Sequence, residues 1–170
     1  MKKYSFLIAL YILIAVSCPA HAALSAKSAF TLLERVPPGE YLEDARKFLG
    51  SPASARTMDK NLSIGVMRWG KSGDTWILDV LHDEDTVRAT RVTWKTKSRG
   101  EQQSIFSQLT TVGKNFFDKP AIFRGSNEAE WNDFGGRWII VAKIEDDITK
   151  GVTLLSGIRD QAMGSEKYGF

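Results

Sequence analysis

Cysteine and histidine are scarce in this sequence. Cys18 is the only thiol, and two histidines, His21 and His82, are spread over 170 residues. A disulfide-stapled scaffold needs paired cysteines and a structural zinc site needs clustered Cys and His, so both classes are excluded. No glycine-rich phosphate loop and no Gly-x-Ser-x-Gly nucleophile elbow occurs. Asp83-x-Asp85 lacks the glycine at position six and the glutamate at position twelve that a calcium loop needs. No stretch approaches the ~20 consecutive apolar residues of a bilayer-spanning helix. Charge of one sign is lacking as well, with 23 basic against 20 acidic residues. That balance gives no support to a nucleic-acid partner.

What is present has the balance of an ordinary globular chain, 43% hydrophobic and 25% charged. Lys2 and Lys3 precede an apolar run from Phe6 to Val16, and Ala20-His21-Ala22 supplies small residues where a signal peptidase reads. Residues 1–22 are therefore read as a secretory leader cleaved near Ala22. Its removal takes Cys18 and His21 with it and lowers the net charge from +3 to +1. A competing reading takes Ala15-Val16-Ser17-Cys18 as a lipoprotein box with a lipid anchor at Cys18. Export of a chain without further cysteines points to a bacterial envelope, periplasmic or secreted.

Two units are expected after the leader, residues 23–98 and 99–170. In the first, Phe30, Leu33 and Val36 form one helical stripe that Pro37-Pro38-Gly39 must end. A second stripe follows in Leu42, Ala45, Phe48 and Leu49, with acids in its first turns, Arg46 and Lys47 near its end, and Gly50 and Pro52 to stop it. From Ile64 onward the period becomes alternating. Runs Ile64 to Trp69, Thr75 to His82 and Val87 to Lys95 read as an antiparallel meander. With Trp69 placed opposite Trp76, Met67 pairs with Leu78 and Val80 continues that face, while Arg68, Ile77 and Asp79 lie on the other.

The pattern then recurs. Ile105, Leu109, Val112 and Phe116 mark a further helical stripe, and Gly113 and Gly125 stand 74 and 75 residues after Gly39 and Gly50. Trp131, Gly135, Trp138 and Ile139 repeat the spacing of Trp69, Gly73, Trp76 and Ile77. Val92 lies 16 residues after Trp76, and Leu154 lies 16 after Trp138. Matches at this many positions predict an internal repeat, with Lys119-Pro120 interrupting the second helix of the second copy. The fold class expected is α+β, built from two tandem units, each a helix hairpin plus an antiparallel sheet, with one sheet face covered by helices and one open.

Gly39-Glu40-Tyr41-Leu42-Glu43-Asp44-Ala45, continued by Phe48-Leu49-Gly50-Ser51-Pro52, resembles the glycine-to-LG-x-P signature of the SmpA/OmlA (BamE) group of small outer-membrane lipoproteins. The tandem arrangement is similar to that of the β-lactamase inhibitory proteins. The motif covers fourteen residues, Gly39 to Pro52. The resemblance implies a helix-helix-sheet fold and a protein partner in the cell envelope.

The acid pairs Glu43-Asp44, Asp83-Glu84-Asp85 and Asp146-Asp147 could serve a hydrolase only as two carboxylates across a cleft, and acids in tight turns are usually solvated. His82, at a strand end beside such acids, is expected to be exposed with a raised pKa. The expectation is therefore not an enzyme, without cofactor or metal, but a non-enzymatic binding module for another protein. An open sheet face carrying Arg68, Ile77, Asp79, Arg91, Ile139 and Lys143 suits such a partner. So do two hairpin tips, one with the charges Lys71 and Asp74, the other with the aromatic Phe134, none with an evident structural duty. An inhibitor of a hydrolase, of the β-lactamase- or lysozyme-inhibitor kind, is the alternative within binding proteins. A small envelope hydrolase using an acid pair is the alternative outside them.

Overall fold

The Ser25 hydroxyl accepts the Ser28 amide and opens helix α1, Ala26–Arg35, which buries Ala26, Ala29, Phe30 and Leu33. The computed structural model describes residues 23–59, 63–71, 73–132 and 138–158. The expected leader, residues 1–22 with Cys18, and Phe134 lie outside them. Helix α2, Leu42–Leu49, follows the Pro37-Pro38 break and buries Leu42 and Ala45. Phe48, expected on its core stripe, is instead 46% exposed. The two buried positions are three residues apart, and at 100° per residue Phe48 already turns out of that face. Gly50 ends α2 at φ +77°, which favours glycine.

Four strands follow: β1 Ser54–Asp59, β2 Ile64–Trp69, β3 Trp76–Asp83 and β4 Thr86–Trp94. Helix α3 runs from Arg99 to Phe117, capped by the Ser98 hydroxyl on the Glu101 amide. Then come β5 Ile122–Phe123, β6 Glu128–Asn132, β7 Trp138–Ile144, a 3-10 turn at Ile148–Lys150, and β8 Val152–Ile158. Among the described residues all eight strands form one open antiparallel sheet in the order β1-β2-β3-β4-β8-β7-β6-β5. The fold is thus α+β, each meander ending at the seam where β4 meets β8. The second meander has one helix, α3, in place of the expected pair. Lys119-Pro120 lies after that helix and leads into β5, and Gly113 sits within α3 rather than in a turn like Gly39.

The three α-helices of the described residues pack on one face. Phe30, Leu33, Leu42, Ala45, Phe106 and Leu109 join Trp69, Leu78, Val80, Val92, Trp94, Trp131, Ile140 and Leu154 in a single core spanning both meanders. On α3 the buried positions are Gln102, Phe106, Leu109 and Gly113, so the stripe lies to one side of the expected one and Phe116 is on its rim. Gly113 leaves room for the Trp131 ring, since a Cβ there would lie 2.6 Å from Trp131 Cε2. Phe30 meets Trp131 edge to face at 5.7 Å.

The pairing register differs by two residues from the expected one. Trp69 stands opposite Leu78 and Met67 opposite Val80, while Trp76 pairs with Trp94. A shift of two keeps every side chain on its face, so the assignment of faces survives. The second hairpin repeats the register, with Trp131 opposite Ile140 as Trp69 is opposite Leu78.

Candidate functional site

On the face away from the helices, period-2 alternation brings one row of side chains into line across six strands. Arg68 of β2 is the Cα partner of Asp79 of β3, and Asp79 of Arg91 of β4. The row continues through Leu155 of β8 and Val141 of β7 to Glu130 of β6. Asp79 is 2% exposed, a depth at which a carboxylate needs partners. It has two: Arg68 donates from Nε to Oδ1 at 2.6 Å and from Nη2 to Oδ2 at 2.9 Å, and Arg91 donates from Nη2 to Oδ2 at 3.1 Å. Hydrogen bonding to the Asp79 carboxylate raises the pKa of Arg68 above its ordinary value and holds its fork in a fixed orientation.

The expected contact residues are only partly gathered by this arrangement. Arg68, Asp79 and Arg91 are contiguous. Ile77 and Lys143 share the next row, separated by Thr93 and Thr153, and Ile139 lies in the row on the other side. Asp79, Ile77 and Ile139 are buried, which leaves Arg68, Arg91 and Lys143 as the partly exposed members of the set. Alternation fixes the face on which a side chain lies, while its depth is set by neighbours from other strands. Ile64, Val66, Leu81 and Ala89 form a second small apolar cluster on this face, with Met58 and Leu155 against it. Thr93, two residues beyond Arg91 on β4, belongs to the face by the same alternation, and so does Leu155 on the neighbouring strand β8. The pair Arg124 to Glu130, 2.9 Å apart, depends on β5, which the Lys119-Pro120 signal concealed.

At the first hairpin tip Asp74 has a structural duty that its sequence context did not suggest. Its Oδ2 accepts the Lys71 backbone amide at 2.6 Å, and its own amide donates to the Lys71 carbonyl at 3.0 Å. The carboxylate closes the turn, as short acids do, and is not set aside as half of a charge pair. The Lys71 side chain is exposed. The corresponding tip with Phe134 lies outside the described residues.

The acid pairs each carry structural bonds. Asp44 and Glu43 hold Lys47, Asp83 pairs with Arg88, and Asp147 caps the 3-10 turn through the Thr149 amide and hydroxyl. The Thr149 bonds lower the Asp147 pKa. His82 also departs from expectation. It is half-buried against Gly65, where a Cβ would lie 2.6 Å from its Nε2, and burial pushes its pKa below the ordinary value. It lines an open depression together with Ala55, Arg56, Thr57, Ser63, Met67 and Glu84.

No family model matches the chain, and no curated protein matches it. The likeness to the SmpA/OmlA lipoproteins accordingly rests on Gly39 to Pro52 alone. Among solved structures the chain is similar to a "putative beta-lactamase inhibitor protein" from Streptococcus mutans, with 11% identity, a TM-score of 0.38, and coverage of 75% of this chain and 94% of that one. A likeness at that level carries no argument about what this chain binds.

Proposed function

We propose that the chain is a non-enzymatic protein-binding module of the bacterial cell envelope, working by contact through the helix-free face of its sheet and the adjoining hairpin tips. The observation that supports this is the segregation of the sheet. Every α-helix among the described residues packs on one face, while the other carries the charged row Arg68, Asp79 and Arg91 beside buried apolar neighbours. Placement in the envelope rests on the leader ending at Ala22. The structural bonds of the acid pairs favour binding over hydrolysis. Inhibition of a hydrolase is the narrower form of the same reading, with a hairpin tip entering the enzyme's cleft.

A photo-activatable residue placed in turn at Lys143 and Thr93 should give a discrete protein adduct in the native envelope, and one at Gln108, on the exposed side of α3, should not. Adducts from Gln108 alone, or hydrolytic turnover by the purified protein that disappears in Asp83→Asn, would overturn the reading. Dose-dependent inhibition of a β-lactamase or lysozyme would establish the narrower form.

A further inference from the structure

We propose that Arg68 is the anchor of the contact face and that it takes a carboxylate from an acidic segment of the partner, with Asp79 as its positioning residue. The inference rests on the binding-module reading and names the chemistry of the partner. Asp79 is buried and both of its oxygens are engaged, so it has nothing left to offer a ligand. Its single negative charge faces two guanidiniums, those of Arg68 and Arg91. Arg68 is the more accessible of the two, its side chain 39% exposed against 20% for Arg91. Nε and one N–H of Nη2 are committed to Asp79, and Nη1 makes no hydrogen bond to a described residue.

The free edge of a guanidinium is a planar fork that matches a carboxylate through two parallel N–H···O bonds. Holding the opposite edge on a buried acid removes the rotamer entropy that a free arginine would lose on binding, which is the physical content of preorganisation. Ser54, the Cα partner of Arg68 on the exposed edge strand β1, adds a hydroxyl beside the same point. Arg56 on that strand extends the positive potential without a carboxylate opposite it, since its Cα partner is Val66. Arg56 and Arg68, on the paired strands β1 and β2, therefore favour an acidic segment over a cationic one at this edge of the sheet.

The test uses the whole purified protein and the arginine side-chain Nε–H resonances in an NMR titration with a blocked triglutamate peptide, a blocked trilysine peptide and vesicles of anionic phospholipid. Triglutamate should shift the Arg68 resonance saturably, by about threefold more than any other arginine, as a bidentate contact at a single fork requires. Arg68→Lys, which keeps the charge and loses the fork, should weaken triglutamate binding by about fivefold. Equal shifts at all arginines, no shift, an undiminished response in Arg68→Lys, or a response to vesicles in place of the peptide would each overturn the proposal. None of these depends on capture of a partner at Lys143 or Thr93, so the proposal and the reading beneath it fail separately.

Discussion

Val92 and Leu154 face each other as Cα partners across the seam between β4 and β8, and both are fully buried. Each follows the second tryptophan of its hairpin, Trp76 or Trp138, by 16 residues. The last strand of one meander thus pairs antiparallel with the last strand of the other, as the two copies of a strand do at an isologous dimer interface. The correspondence slips by two residues within the ladder, for Leu78 pairs with Val92 while Ile140 pairs with Ser156. The turn between β7 and β8, Glu145 to Gly151, is longer than the Glu84-Asp85 turn between β3 and β4 and absorbs the difference.

Because one core spans this seam, unfolding should be a single cooperative transition, with tryptophan fluorescence and far-UV circular dichroism coincident in urea. Leu154→Ala should cost ~2–5 kcal/mol. Combining it with Val92→Ala should depart from additivity by ~0.5 kcal/mol or more, because the two side chains touch the same space. Two separated transitions would show that the meanders are independent.

Gly113 offers a prediction of opposite sign to helix propensity. Replacing a mid-helix glycine by alanine ordinarily stabilises by ~0.5–1 kcal/mol. Here the new methyl would enter the Trp131 ring, so Gly113→Ala should destabilise by ~1–3 kcal/mol. Gly100, in the first turn of the same helix, meets only the Ser98 hydroxyl at 4.0 Å, and Gly100→Ala should be neutral or stabilising. Thermal melts of the two variants check the contrast.

The strands and their faces were legible because alternation survives register error. Arg68, Asp79 and Arg91 were placed on one face from parity alone, although the pairing assumed for Trp69 was off by two. What sequence could not supply was depth. Asp79 reads as a surface acid until its neighbours on β2 and β4 are known, and those are set by non-local pairing. The single helix of the second unit was hidden because Lys119-Pro120 marks an ending without saying whether a helix or a strand follows. The turn-closing role of Asp74 was not legible for a local reason, since an acid in a glycine-rich tip serves a turn or a partner equally well until its hydrogen bonds are seen.

His82 should make stability depend on pH. Its folded-state pKa lies below the ordinary value of 6.5 because burial disfavours the charged ring. The unfolded chain then binds the proton first as pH falls. The neutral ring's contribution is fully present above about pH 6.5, and stability declines as pH drops from there through the lowered value. His82→Gln should flatten the urea midpoint over that window and leave the steeper acid transition of the carboxylates in place. An unchanged slope in the variant would show that His82 is not the titrating group.

The Arg68, Asp79 and Arg91 row lends itself to a separation of stability from binding. Asp79→Ala leaves Arg91 with little access to water and should cost ~3 kcal/mol, the lower end for a broken buried pair, because Arg68 can turn outward. Arg68→Gln should cost ~1 kcal/mol or less, since Arg91 still holds Asp79. Replacing all three together by Met, Leu and Met removes the charges of this cluster, whose desolvation opposes folding, and such replacements are often neutral or stabilising by ~1–4 kcal/mol. The triple variant should therefore melt at or above the temperature of the parent while losing its response to triglutamate. A triple variant destabilised by more than ~2 kcal/mol would make the row a structural element, held by geometry that apolar side chains cannot reproduce. The contact face would then have to be sought at the Lys71 tip.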